Sequence, residues 1–207
     1  MSHRDEDVIV NALVRQALSS TQEVMGENGL NAVLRASGLE RFIGNFPPDD
    51  LAPGIKTADY ARLNQAIEDF YGRGGRGMLR RIGKASFQYG VREQSALLGI
   101  AGAALKLLPE KQRIKFILNS MAGALKKSNP NVNAWLEEGE RLAYIEDTCG
   151  ICHSRTSNVP ICHLYVGSIS EAVNWATGKS FKVTETHCMA KGDPYCRFEV
   201  GEVVSDG

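Results

Sequence analysis

The chain has 207 residues, with Lys+Arg and Asp+Glu balanced at 24 each, and a sequence pI near 6.9. A chain of this length buries roughly 70% of its unfolded surface, so its core requires neither disulfides nor metal. The balanced charge supplies no positive field to gather nucleic-acid phosphates, which excludes nucleic acid as an expected partner.

The opening MSHRDEDVIV is charged and lacks the apolar core of a secretion signal, so a cytoplasmic location with reduced thiols is expected. Residues up to about Glu23 read as a helix, with Val10, Leu13, Val14, Ala17 and Leu18 on one stripe. A short helix is expected near Leu30 to Ala36. From Leu39 to Thr57 three prolines and two glycines indicate a connecting loop. Residues 1–58 are thus expected to form an N-terminal helical arm with a proline-rich loop. A helix from about Asp59 to Tyr71 follows, marked by Tyr60, Leu63, Ile67 and Phe70.

The segment GRGGRG, Gly72 to Gly77, matches the dinucleotide-binding pattern GxGxxG letter for letter. That pattern needs a strand before it and a crossover helix after it, whereas LNQAIEDFY has helical period. A helix break and close helix packing account for these glycines, and Arg73, Arg76, Arg80 and Lys84 mark a solvated helical stripe that offers at most a weak anion site. Residues 96–108 form the most apolar run, about 13 long against the roughly 20 of a membrane span, and read as a core helix. Pro109 opens the next amphipathic helix, with Ile114, Ile117, Leu118, Met121, Ala122 and Leu125 on its face.

After Pro130 the texture changes. AWLEEGERLAYIEDTCGICH reads as strands around a turn, VPICHLYVGSISEAVNWATG as a helix stopped by Gly178, and the remainder as a hairpin turning at KGDP. Helices followed by strand, strand, helix, strand, strand define an α+β fold, with N-terminal helices packed on a C-terminal antiparallel sheet and one intervening helix.

All five cysteines, Cys149, Cys152, Cys162, Cys188 and Cys196, lie in the last 59 residues. An odd number of thiols in a reducing compartment argues against a disulfide framework and for thiolate ligands, zinc first. Read by spacing, CGIC is a metal knuckle and the hairpin pair Cys188 and Cys196 completes a four-sulfur site. A redox CxxC is the competing reading, but no strand running directly into a helix frames it. The histidines His153, His163 and His187 are expected to be structural or exposed, with His153 an alternative ligand.

VPICHLYVGSISEAVNWATGKS and VTETHCMAKGDPYCRFEV together resemble the C-terminal signature of the 4-vinyl reductase domain family, over roughly Gly139 to Val200. That family includes aromatic-sensing domains of bacterial transcription activators, a protein of bacteriochlorophyll synthesis and, by fold, subunits of a vesicle-tethering complex. The resemblance implies a ligand-binding domain over 59–207 with the NO-signalling/Golgi-transport ligand-binding-like fold, and a homodimer. It also implies one structural zinc held by Cys162, Glu185, Cys188 and Cys196. Cys149 and Cys152 depart from the sensors' pattern and are alternative ligands.

Three functions follow as expectations. The first is a sensor or carrier module binding a small hydrophobic or aromatic molecule, with Phe116 and Trp135 as candidate lining residues and zinc as a staple of the wall. No catalytic residue is assigned. The second is a tetrapyrrole vinyl reductase, which would need a hydride source that no credible nucleotide site supplies. The third is a protein–protein adaptor on the same fold.

Overall fold

A computed structural model describes residues 8–94, 105, 107–129 and 131–204. Strand β1 (Val8–Val10) leads into helix α1 (Asn11–Ser37), which Gly26 interrupts by adopting φ 73°. Only glycine takes that conformation cheaply, so the two expected N-terminal helices become one kinked element. Leu39 to Thr57 is not all loop: Glu40–Phe42 forms a 3₁₀ turn, and β2 (Pro53–Lys56) pairs antiparallel with β1. Proline at the first position of an edge strand is tolerated because no ladder donor is lost inside the strand.

Helix α2 (Thr57–Tyr71) carries Asp59 in its first turn and ends at Gly72, whose φ is 52°. Gly72–Gly74 is a 3₁₀ turn and α3 (Gly75–Glu93) follows, so GRGGRG joins two helices as its neighbours imply. The Arg73, Arg76, Arg80 and Lys84 series is exposed. Of the expected core helix over 96–108, all but Leu105, Leu107 and Leu108 lies outside the described residues; Leu105 is buried. Helix α4 (Glu110–Ser128) buries Ile114, Ile117, Leu118 and Ala122.

The C-terminal sheet contains β3 (Ala134–Glu138), β4 (Leu142–Glu146), β5 (Phe181–His187) and β6 (Cys196–Val203), antiparallel in the order β3-β4-β6-β5. Helix α5 (His163–Thr177) intervenes and stops at Gly178, in the left-handed region at φ 74°. This is the expected α+β arrangement.

Helices α4 and α5 pack together, α4 beside β3 and α5 beside β5, while α3 crosses α5 and α1 and α2 pack on α3. The crossing is set by two glycines. A Cβ at Gly83 would lie 2.0 Å from the carbonyl oxygen of Leu164, and one at Gly167 would lie 2.0 Å from that of Arg80. Each helix thus presents a bare backbone to the other. Their contact places the N-terminal end of α5, which Cys162 immediately precedes, against the helical layer. One core runs from Val14, Leu18 and Leu34 of α1 to Tyr144 and Phe198 of the sheet. No helix among the described residues is long and apolar enough to cross a membrane.

Candidate metal centre and ligand cavity

The five cysteines converge, all buried and none paired in a disulfide. Cys149 and Cys152 sit on the loop after β4, Cys162 immediately precedes α5, and Cys188 and Cys196 flank the β5–β6 turn. Local bonds hold four of them in place. Cys188 N–H donates to Asp193 Oδ2 at 2.7 Å and Met189 N–H to Cys196 Sγ at 3.4 Å, which bends the hairpin so that both sulfurs face inward. Cys162 N–H donates to Glu185 Oε2 at 2.8 Å, joining the helix to the sheet. Cys152 carbonyl accepts from Arg155 N–H at 3.1 Å, and Arg155 is fixed by Glu68 of α2 at 2.7 Å.

The Sγ–Sγ separations are 3.5 Å for Cys149–Cys162, 3.4 Å for Cys152–Cys196, 3.8 Å for Cys162–Cys196 and 3.9 Å for Cys162–Cys188. A tetrahedral shell with metal–sulfur bonds of about 2.3 Å has an edge near 3.8 Å. Two buried quartets have that spacing and could hold a metal ion: Cys149, Cys152, Cys162, Cys196, and Cys162, Glu185, Cys188, Cys196. The four-sulfur quartet contains Cys162 where sequence spacing grouped Cys188, because the start of α5 holds Cys162 beside the knuckle.

Glu185 tests the fit independently. Its Oε1 is buried with no hydrogen-bond partner, and burial, followed by the neighbouring Cys188, pushes its pKa up to about 9. A lone buried carboxylate is costly; a cation beside it would both favour ionisation and partner the bare oxygen. Burial, followed by hydrogen bonding to the other four thiols, pushes the Cys162 thiol well above its ordinary range. The donor set therefore suits a soft or borderline cation.

None of the expected histidines joins either quartet. His153 is half-buried on the loop, His187 stacks against Tyr195 with centroids 5.5 Å apart, and His163 is buried with both ring nitrogens unpartnered.

Beside the cysteines, a cavity of about 140 Å³ opens between α1, α2, α3, α4, α5 and β4. Its walls include Phe87, Met121, Ala124, Leu125, Leu164 and the rings of Tyr60, Tyr144 and Tyr165. Glu146 is its buried acidic group. Only 1% of Glu146 is exposed, its Oε2 has no partner, and burial pushes its pKa up to about 8 against the opposing hydrogen bond from Tyr165. The sheet register sets Glu146 directly opposite Cys196, and Thr148, Gly150 and Ile151 of the cysteine loop also line the cavity. Metal site and cavity thus share a wall.

Phe116 and Trp135, the lining residues expected from sequence, do not border this cavity. Phe116 packs against the core from α4, and Trp135 sits on edge strand β3 against Tyr195, with ring centroids 6.3 Å apart. The signal for Glu146 was an acid in the apolar strand LAYIE, on the same face as Leu142 and Tyr144 by alternation.

Comparison with known proteins places these elements. Residues 146–202, which run from Glu146 through the last cysteine, match the V4R domain family. Residues 146–202 are a V4R domain. The 4-vinyl reductase domain resemblance read from the sequence therefore holds over this segment, and the V4R domain includes every residue of both quartets.

Two uncharacterized proteins of Methanocaldococcus jannaschii are similar to the chain. One is 35% identical over 65 residues, 30% of this chain and 28% of its own length; the other is 33% identical over 91 residues, 41% and 50%. The chain's match thus spans half or less of either relative. Among solved structures, a Tt H-NOX variant aligns with TM-score 0.62 and 11% identity over 96% of this chain and 98% of its own. An Fe(II) unliganded H-NOX protein from K. algicida gives 0.59, 11%, 96% and 98%; one from S. oneidensis in the Fe(II)NO state gives 0.56, 11%, 92% and 99%. At such identity the likeness is one of fold: the chain has an H-NOX-like fold, as expected from the NO-signalling/Golgi-transport ligand-binding-like class.

Proposed function

We propose that the chain is a sensor or carrier module that binds a single-ring aromatic or comparably small apolar molecule, with zinc as the staple of its binding wall. The cavity beside Glu146 carries this reading. At about 140 Å³ it is close to engineered apolar cavities of about 150 Å³ that admit benzene. Aromatic and aliphatic walls would supply the apolar contact, and Glu146, kept protonated at neutral pH by burial, would donate a hydrogen bond to an oxygen on the ligand. A phenol or a small aryl ketone has that chemistry.

Haem, the group named for similar H-NOX structures, does not suit this cavity: it is too small for a porphyrin, and among the described residues no histidine or cysteine lines it. The same volume argues against a tetrapyrrole substrate and hence against the vinyl reductase reading. Zinc fits the sulfur-rich donor set. Four protein ligands leave no open position, so its part would be structural. It would tie α5, through Cys162, to the β5–β6 hairpin and so fix the wall that α5 contributes.

Calorimetry and thermal melts with toluene and phenol test the reading. Saturable one-site binding is expected, with stabilisation of about 2.7 kcal/mol at a hundredfold excess over Kd. Ala124→Phe, which fills the cavity, should abolish binding while the protein stays folded. A chelator should lower Tm and toluene affinity together, and added zinc should restore both. Absence of binding by either probe to metal-replete protein would overturn the ligand assignment, and unchanged stability after stripping would overturn the staple.

A further inference from the structure

The two quartets are not independent alternatives, because they share Cys162 and Cys196 and differ in everything else. We propose that this site is binuclear: Cys162 and Cys196 bridge two divalent d¹⁰ cations of the zinc class, one completed by Cys149 and Cys152, the other by Glu185 and Cys188. The inference rests on the metal-staple reading and extends it to a second ion and to the knuckle CGIC.

Three observations carry it. First, the 3.8 Å separation of Cys162 and Cys196 is a tetrahedral edge that both shells can use, and each knuckle sulfur touches a different end of it, Cys149 at 3.5 Å from Cys162 and Cys152 at 3.4 Å from Cys196. The knuckle thereby closes a second shell on the shared edge. Second, the charges agree. One ion in the Cys162, Glu185, Cys188, Cys196 shell sets 2+ against 4−, whereas two ions set 4+ against the 6− of five thiolates and one carboxylate. Both leave 2−, so the second ion adds no net buried charge and each bridging sulfur screens one cation from the other.

Third, every polar group is used. With one ion, Cys149 and Cys152 would remain as thiols at 1% and 3% exposure, crowded against metal-bound sulfur, and no other described group explains why two more thiols are packed there. With two, all five sulfurs are ligands, and the unpartnered buried Oε1 of Glu185 has a cation to bind. A bridging thiolate is ordinary chemistry for a soft ligand that retains lone pairs after binding its first metal.

The metal content of zinc-loaded full chain and cadmium-113 NMR of the cadmium-loaded chain test the proposal together. Two ions per chain are expected, with two cadmium resonances in the sulfur-rich region, each split by the other through the bridging sulfurs. Cys149→Ser/Cys152→Ser should retain one ion and give one unsplit resonance, while Cys162→Ser should lose both. If the serine variants fail to fold, the splitting in the unaltered chain decides alone. One ion per chain, or two resonances without mutual splitting, overturns the binuclear cluster while leaving the staple intact. No bound ion at all overturns both.

Discussion

Replacing Gly83 by alanine perturbs the α3–α5 crossing at a single atom. Helix propensity alone would make the change stabilising by about 1 kcal/mol. Here the new Cβ meets Leu164 O at 2.0 Å, with Leu164 C and Ser168 N at 2.9 Å, and all three belong to backbone. Relief requires the helices to part by about 1 Å, a gap that forfeits a quarter to a half of each contact across it. Applied to Leu79, Ile82, Leu164 and Ile169, buried side chains on the two helices at roughly 2 kcal/mol each, the loss is about 2–4 kcal/mol. Urea denaturation of Gly83→Ala beside Gly77→Ala makes the comparison internal, since nothing lies within 4 Å of a Cβ at Gly77 of the same helix. Gly77→Ala should gain a little stability and Gly83→Ala should lose it. Equal, stabilising effects at both positions would refute the close-approach argument.

Burial raises the pKa of Glu146 from the ordinary 4.5 to about 8, so the folded chain holds this proton more tightly than the unfolded one. The contribution of Glu146 to stability is then fully present below about pH 4.5 and is lost, by roughly 5 kcal/mol, as pH rises through 8; Glu146→Gln should flatten that part of the profile in denaturant melts, and an unchanged slope would contradict it. The Arg155–Glu68 pair is largely buried at 2.7 Å, so Glu68→Ala strands a guanidinium. The expected cost is about 3 kcal/mol, with much of it recovered in Glu68→Leu/Arg155→Leu, as thermal melts of the three proteins would report.

The helices and the C-terminal strands were legible because their signals are local: the 3.6-residue stripe of α4, the stop at Gly178, the KGDP turn between β5 and β6. Strands β1 and β2 were not, because three and four residues interrupted by proline carry no period and exist only through pairing across 43 or more positions. Spacing alone grouped Cys149 and Cys152 with Cys188 and Cys196, whereas the family resemblance grouped Cys162 with Glu185, Cys188 and Cys196; the structure brings all five cysteines together because Cys162 sits at the start of α5, a position that spacing rules do not include. Phe116 and Trp135 illustrate the converse. An aromatic on an amphipathic face marks burial, but which cavity it borders depends on the crossing of α3 over α5, fixed by two glycines whose role is invisible without their partners' carbonyls.

The loop after β4 alternates its loyalties: Cys149 and Cys152 face the sulfurs, while Thr148, Gly150 and Ile151 face the cavity, and Glu146 meets Cys196 across the sheet. A segment so shared would couple the proposed metal and ligand to each other. By thermodynamic reciprocity, whatever factor metal loading multiplies into ligand affinity, ligand must multiply into metal affinity. If zinc and ligand bind as proposed, the small molecule would then set the share of chains that hold metal when zinc is scarce, and occupancy of either site would depend on both concentrations.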